Sequence, residues 1–374
     1  MNLTWIEISK KALKNNVAQI RKRLPKKTKY IAVVKSNAYG HGLLEVVEQI
    51  KKDVDAFAVY DFNDAILLKK KKITKPVLCL GRVFGDQLAT AIKNNIELSV
   101  STLDILQDAQ KISAKKKLAI HLCVDTGLGR DGFILSDMKK ILPLLKNNKI
   151  ELKGLYTHFA APDDSAFNHY TKKQIDELML WKNALAAIGI NPMTYASSTA
   201  GTFISDFECC LDAVRIGGGI YGLWSSKEIF ELHSKKTKLL PVLSWKALVV
   251  ELKSLPKGSH ISYGCSFTLQ RDSKIAILPV GYFDGIPRIS SQKGSVLINK
   301  TKVPQLGRVT MNMIVVDVTD VKKIKVGDVA TLIGRDGKEV VSAEDWGDWS
   351  GSFNYEITTR LNAALVRKVV SGQH

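Results

Sequence analysis

Eight short apolar runs, rich in β-branched residues, recur through the first two thirds of the chain, with amphipathic helix-like stretches between them. Strands that alternate with helices in this way build a parallel sheet. A count of eight predicts the α/β fold class and a (β/α)8 barrel of the TIM type. The competing arrangement is a doubly wound open sheet, which the absence of a GxGxxG sequence after the first run disfavours. The runs are Ile31–Val34, Ala56–Tyr60, Val77–Leu80, Leu98–Ser101, Leu118–Val124, Leu152–Thr157, Met193–Ser197 and Ala213–Ile216, and the clearest helical stretches are Leu43–Lys51 and Ile175–Ile188.

The pattern changes near residue 236, where strand-like runs follow one another with few helices between them. We therefore predict a barrel over residues 1–235 and a mainly β domain over residues 236–374, joined near Ser234–Lys238. An alternative is that the first few residues pair with the second domain. The strands expected there are Val242–Leu252, Ile275–Val280, Ser295–Ile298, Met313–Val318 and Ala330–Ile333, with turns at 256–258 and 335–337 and a late helix at Glu356–Val370.

Composition narrows the class of protein. The net charge of +19 comes mostly from short lysine runs, such as Lys69–Lys72, and no nucleic-acid-binding motif accompanies it. We therefore predict a solvated basic surface and no nucleic-acid partner. Five scattered cysteines without a CxxC pair favour a reducing compartment and argue against a zinc or other metal site. We find no signal-peptide pattern and no apolar run near the roughly 18 residues of a membrane span, so we expect a cytoplasmic protein without a membrane partner.

A lysine ends the first predicted strand. Lys35 lies within the run Ala32–Gly42 and is followed by a polar turn that contains glycine. In a (β/α)8 barrel the carboxyl ends of the strands form the active-site face. Partial burial lowers the pKa of a lysine amine from about 10.4 and makes its neutral, nucleophilic form accessible. These arguments leave two interpretations of Lys35 open. It is either a lysine that attacks a carbonyl group or one that simply emerges into solvent.

Two further features are ambiguous in the same way. The glycines at 217–219 end the eighth predicted strand, and they either leave backbone N–H groups open to an anion or form a flexible turn. His158 follows the sixth run, and a lone histidine is more often structural than functional.

The motifs together resemble the alanine racemase family, in the order in which that family shows them and over nearly the full chain. The run around Lys35 is similar to the family's lysine that binds pyridoxal phosphate (PLP). The other matching segments are Val124–Gly132, Tyr156–Ala160, Val214–Gly222, Ile261–Gly264, Gly281–Gly285 and Gly307–Asn312. The resemblance implies a PLP-dependent racemase that interconverts L-alanine and D-alanine and supplies D-alanine for peptidoglycan synthesis.

The resemblance also implies a role for each residue. Racemisation needs proton removal on one face of Cα and delivery on the other, which two opposed bases do most simply. Lys35 is implied to serve the D-isomer and Tyr263 the L-isomer, with His158 linking Tyr263 to Arg215. The implied cofactor contacts are Lys35, Tyr39, Arg130, His158, Ser198, Arg215, Gly217, Gly218 and Tyr355, of which Tyr355 rests on the short run Asn354–Glu356.

Tyr263 and Met311 lie far from the barrel in sequence. In the family both reach the site of the neighbouring subunit, so the resemblance implies a homodimer with shared active sites. Arg130 and Met311 are implied to contact the amino-acid substrate. Arg215 matches the family's arginine beside the pyridine nitrogen of PLP, where most PLP enzymes place a carboxylate. An always-charged arginine disfavours protonation of that ring, which suits an enzyme that only moves a proton.

Two positions depart from the family's pattern. Cys123 stands where many members have a lysine, often carbamylated, that holds the arginine equivalent to Arg130. A neutral thiol cannot supply that negative charge, so another anion orients Arg130 or its position is looser, and we expect no dependence of activity on bicarbonate. Asn312 replaces the usual aspartate after Met311, which leaves serine or a broader amino-acid range as the alternative substrate.

Three other functions compete with the racemase. A non-catalytic PLP carrier on the same barrel would lack the β domain and Tyr263. A barrel-type decarboxylase is expected to have a carboxylate where Arg215 stands. The hypothesis of a nucleic-acid-binding protein rests on the positive charge alone.

Overall fold

The structure is a computed structural model, which describes residues 2–112, 116–146, 149–203 and 210–372. One of the five cysteines, Cys209, lies outside these residues. Within them, no helix has both the length and the apolar character that crossing a membrane requires.

Eight parallel strands close into a barrel in chain order. The predicted fold class is confirmed, and every predicted strand of the barrel lies within two residues of an observed one. The barrel closes where the first of these strands pairs with the last, placing Ile31 opposite Arg215. The strands are β2 (Lys29–Val33), β3 (Ala56–Val59), β4 (Val77–Cys79), β5 (Ile96–Val100), β6 (Leu118–Cys123), β7 (Ile150–Tyr156), β8 (Met193–Tyr195) and β9 (Ala213–Ile216).

Helices surround the barrel and bury one face each, with the exception of α2 (Lys35–Tyr39), which is a short left-handed turn after β2. In the helix Leu43–Ile50, the buried residues Leu43, Val46, Val47 and Ile50 follow the spacing of a single apolar stripe. The prediction Ile175–Ile188 was too short, because the helix begins at Asn168 and its first turns bury polar Thr171 and Gln174. The helices are α1 (Lys10–Arg21), α2 (Lys35–Tyr39), α3 (Leu43–Ile50), α4 (Phe62–Lys70), α5 (Gly85–Asn94), α6 (Leu103–Lys111), α7 (Met138–Leu145), α8 (Asn168–Ala187) and α9 (Lys227–His233).

A second, sheet-rich part follows the barrel. Its strands are β1 (Thr4–Ser9), β10 (Leu243–Leu248), β11 (Glu251–Leu255), β12 (His260–Ile261), β13 (Phe267–Thr268), β14 (Ser273–Leu278), β15 (Ser295–Ile298), β16 (Thr301–Leu306), β17 (Ile314–Asp317), β18 (Val329–Asp336), β19 (Glu339–Val341) and β20 (Arg367–Val370). The N-terminal strand β1 belongs to the main sheet, antiparallel to β10 and parallel to β20. The order across that sheet is β11-β14-β17-β16-β15-β18-β10-β1-β20.

Three predictions for this part need correction. The run Val242–Leu252 forms two strands, because the chain leaves the ladder of β18 at Val249 and joins that of β14 at Val250. The turn expected at 335–337 falls at 337–338, since β18 continues to Asp336 and pairs with β19.

The third correction concerns the late helix Glu356–Val370. Helix α11 covers only Asn354–Thr359, and residues 367–370 form β20. Asn362 Oδ1 accepts a hydrogen bond from the amide of Ala364, which favours a turn over a continuing helix. Pairing with β1 then extends the remaining residues. A further helix, α10 (Ala343–Ser350), was not predicted, because Gly347 interrupts its sequence.

Candidate active site

One cavity of about 520 Å³ lies at the carboxyl ends of the barrel strands. Its wall brings together every residue that the sequence analysis assigned to the cofactor. Loops after β2, β7, β8 and β9 supply most of them, and α11 supplies one from the second part of the chain. The nine residues are Lys35, Tyr39, Arg130, His158, Ser198, Arg215, Gly217, Gly218 and Tyr355.

Lys35 begins a strained turn. Ser36, Asn37, Ala38 and Tyr39 all have φ between 53° and 54°, the left-handed region. Each such residue costs roughly 1–2 kcal/mol, so the turn persists only because its surroundings hold it. The Asn37 side chain accepts from the amide of Leu43 at 2.8 Å, and Arg367 Nε from β20 donates to the carbonyl of Gly40 at 2.8 Å.

The environment of Lys35 favours its neutral amine. Burial lowers the pKa of the amine, and the nearby guanidinium groups of Arg130 and Arg215 lower it further, while Asp131 opposes them. Of the two alternatives that the sequence left open for this lysine, its place in the cavity and its lowered pKa favour the nucleophile.

Arg215 and His158 form a buried pair. Arg215 Nη2 donates to the carbonyl of Thr157 at 2.8 Å and lies 3.1 Å from His158 Nδ1. Because a guanidinium only donates, Nδ1 must accept, which places the ring proton on Nε2 of a neutral imidazole. Burial and the charge of Arg215 lower the pKa of His158 to about 3, in agreement with that neutral form.

A stack of aromatic rings supports Arg215 from below. Tyr156 and Tyr195 are stacked with ring centroids 5.2 Å apart, and the Arg215 guanidinium lies 4.2 Å from the Tyr156 centroid. Tyr195 Oη lies 2.7 Å from His121 Nδ1, and His121 Nε2 lies 2.9 Å from Glu97 Oε2. The sequence analysis missed this buried chain, since nothing in spacing indicates that the three side chains point into the same barrel.

The glycine segment after β9 forms a narrow cradle. A Cβ added to Gly217 would collide with the hydroxyl of Tyr39, and one added to Gly218 with the hydroxyl of Tyr355. The amides of Gly217 and Gly219 both donate to Thr199 Oγ1, at 3.2 and 3.3 Å. The sequence analysis offered these amides as donors to an anion, and two of them already donate to the Thr199 hydroxyl.

Two buried polar atoms at the cavity have no protein partner among the described residues. They are Arg215 Nη1 and Ser225 Oγ, and both residues line the cavity. An unpaired buried donor costs free energy unless a ligand or water satisfies it. The cavity thus has polar groups left for a ligand that carries anionic and acceptor atoms. No sequence signal singled out Ser225.

The loop of Arg130 is fixed by one aspartate. Asp125 accepts hydrogen bonds from the amides of Gly127, Leu128, Gly129 and Arg130. Cys123, at the end of β6, is buried beneath this loop, and burial raises the pKa of its thiol to about 11. It is therefore a neutral group.

Tyr263 and Met311 lie outside the cavity that holds Lys35. Their side chains are 72% and 53% exposed, and neither is among the residues that line the cavity. Their segments lie side by side, since Ser262 Oγ donates to the carbonyl of Arg308 at 2.8 Å. Asn312 is exposed next to Met311. A single chain does not bring the two implied bases together.

Known proteins resemble this chain along its whole length. The family models "Alanine racemase, N-terminal domain" and "Alanine racemase, C-terminal domain" match residues 8–225 and 242–369. An alanine racemase of Methanococcus maripaludis is 38% identical over 369 residues, which is 97% of each chain. One of Methylacidiphilum infernorum is 34% identical, over 97% of this chain and 92% of the other.

Solved structures agree with the sequence comparison. The crystal structure of the alanine racemase of Bacillus anthracis with bound L-Ala-P superposes with a TM-score of 0.93 at 32% identity, covering 100% of this chain and 96% of that one. An alanine racemase of Clostridium difficile 630 gives 0.93 at 32%, covering 100% and 97%. The chain belongs to the alanine racemase family.

Proposed function

We propose that this protein interconverts L-alanine and D-alanine with pyridoxal phosphate as its cofactor. The observation that carries the proposal is that one cavity is lined by all nine residues that the family resemblance assigns to PLP. Relatives named alanine racemase match along nearly the whole chain and support the same reaction.

The residues present fit the cofactor. We assign the amine of Lys35 to its aldehyde, and the cradle of Tyr39, Gly217, Gly218 and Tyr355, with Ser198 beside it, to its phosphate. The unpaired Nη1 of Arg215 suits the acceptor nitrogen of a pyridine ring. When bound, pyridoxal phosphate withdraws electrons from an attached amino acid and makes its Cα proton acidic.

The chain itself supplies the proton transfers. We assign Lys35 Nζ to the Cα proton of the D-isomer and Tyr263 Oη to that of the L-isomer, each returning a proton in the opposite direction. A tyrosine with an ordinary pKa of about 10 needs help to lose its proton. The Nε2–H of neutral His158 is the donor we assign to the Tyr263 phenolate, with Arg215 holding the imidazole through Nδ1.

Arg215 also limits the chemistry. Because a guanidinium stays protonated and only donates hydrogen bonds, it would keep a pyridine nitrogen unprotonated, whereas a carboxylate would stabilise the protonated ring. We therefore expect little transamination or decarboxylation. The same residue distinguishes this protein from a barrel-type decarboxylase.

The remaining assignments complete the proposal. Tyr263 and Met311 reach the cavity of a second copy of the chain, so the working unit is a homodimer with two shared sites. Arg130 and the Met311 backbone contact the substrate. The division at residues 235/236, a cytoplasmic location and a supply of D-alanine for peptidoglycan belong to the same proposal.

A chirality assay tests the proposed reaction. Purified protein with PLP is incubated with L-Ala, D-Ala or L-Ser, and both enantiomers and carbon dioxide are measured. We expect equal mixtures of L- and D-alanine from either isomer, and no reaction by the Lys35→Ala variant. Racemisation of serine ahead of alanine would overturn the substrate, and carbon dioxide without racemisation would favour the decarboxylase.

A further inference from the structure

The Arg130 side chain is paired with the residue that follows it. Arg130 Nε lies 2.8 Å from Asp131 Oδ1, and both side chains line the cavity that holds Lys35. Among the described residues, Nε is the only side-chain nitrogen of Arg130 that donates a hydrogen bond. The two terminal nitrogens therefore remain for a ligand, while the carboxylate fixes the plane of the guanidinium.

Position 131 is held by the backbone around it. Asp125 binds the loop on one side through four amides. On the other side Cys123 Sγ donates to the Asp131 carbonyl at 3.5 Å, and the amide of Phe133 donates to the Cys123 carbonyl at 3.0 Å. The carboxylate of Asp131 thus projects from a fixed point rather than from a free surface loop.

The basic groups around Arg130 favour an anion close to them. Lys35, Arg130 and Arg215 bring three basic groups to one cavity, and Cys123 beneath them is a neutral thiol. Burial would lower the pKa of Arg130, but the Asp131 carboxylate raises it. The same carboxylate opposes the lowering of the Lys35 pKa.

We propose that Asp131 is the positioning residue for Arg130 and supplies from position 131 the negative charge that Cys123 cannot supply from β6. The inference rests on the proposed racemase function and names the group that prepares Arg130 for the substrate. It also accounts for a site that needs neither a carbamylated lysine nor an external anion at this point.

Three variants of the PLP-loaded protein test this role. Asp131→Asn keeps the shape and removes the charge, and Asp131→Glu keeps the charge. Asp320→Asn removes a more exposed carboxylate from a remote pair with Arg271. We expect Asp131→Asn to lower kcat/KM for alanine about tenfold, with Asp131→Glu restoring it to within about threefold and Asp320→Asn unchanged. Thermal unfolding should be nearly the same for all three, because exposed ion pairs contribute little stability.

Each outcome either supports or contradicts the proposed role of Asp131. Equal kcat/KM for Asp131→Asn and Asp320→Asn overturns the role of Asp131, as does an Asp131→Glu variant no better than Asp131→Asn. A clear rise of wild-type activity on adding bicarbonate also overturns it, because Arg130 then depends on an external anion. If the wild-type protein racemises no amino acid, the proposed function fails instead, so the two failures are distinguishable.

Discussion

Arg215 donates to Nδ1 of His158 across 3.1 Å, and this contact fixes the protonation state of the imidazole. Because the guanidinium cannot accept a hydrogen bond, the ring is neutral and presents Nε2–H to the cavity. A neutral donor stabilises a phenolate without a second fixed positive charge. In the proposed homodimer, the Tyr263 base of the neighbouring chain would therefore meet a donor whose orientation is already set.

The first prediction concerns the pH dependence of His158. Its pKa is lowered to about 3 by burial and neighbouring cations, so its charged form exists only well below neutral pH. We expect the nitrogen NMR signals of the His158 ring to remain those of the Nε2–H tautomer from pH 5.5 to 9 (a range well above the pKa). His158→Gln assigns the signals. A titration near the ordinary value of about 6.5 would contradict the buried pair.

The second prediction concerns Lys35. Burial and the charges of Arg130 and Arg215 lower its pKa, so its amine loses its proton at a lower pH than an ordinary lysine. In the PLP-free protein, the rate of reductive methylation of Lys35, followed by peptide mass spectrometry, should reach half its maximum well below the ordinary pKa of about 10.4. Added PLP should block this labelling. A midpoint at the ordinary pKa, or no protection, would argue against the assigned role.

The third prediction concerns the cradle. In Gly218→Ala the new methyl group meets the Tyr355 hydroxyl, so one of them must move and the phosphate position changes. We expect the Kd of PLP, measured by absorbance titration, to rise about tenfold or more. Gly85→Ala is the matched control, since a Cβ there meets nothing within 4 Å. Equal PLP affinities in the two variants would contradict the assignment of the phosphate to this segment.

The barrel and its cavity could be predicted because each depends on local pattern. Apolar β-branched runs mark the strands, and a barrel gathers their carboxyl ends, so residues that follow separate strands, such as Lys35 and His158, meet without any long-range information. The position of Arg215 was predicted because the motif around it resembles the family's motif. These parts of the site could be predicted from the sequence immediately around the residues that form them.

Other parts depend on tertiary contacts that leave no local pattern. The chain from Glu97 through His121 to Tyr195 requires side chains of three strands to point inward together. The residues 367–370 form a strand because β1 is available to pair with them. Thr199 and Ser225 gain their importance only from the cavity they line.

The fourth prediction separates the two faces of the substrate. In Tyr263→Phe, Lys35, the proposed base for D-alanine, is unchanged, whereas proton removal from L-alanine would lose its proposed base. In D2O we expect deuterium exchange into D-alanine to fall less than about threefold, and exchange into L-alanine to fall about 100-fold or more. Mass spectrometry of each isomer measures both, with PLP content matched by absorbance. Equal losses would count against the assigned faces.

We propose that Lys35 of one chain and Tyr263 of another form one active site, because Tyr263 is 72% exposed and lies outside the cavity of its own chain. Mixing the Lys35→Ala and Tyr263→Phe variants tests it most directly. A mixed dimer has one doubly altered site and one intact site, so after complete subunit exchange the racemase activity should rise to about one quarter of that of the wild type. A mixture that stays as inactive as its components, with exchange verified by native mass spectrometry, would contradict the shared site.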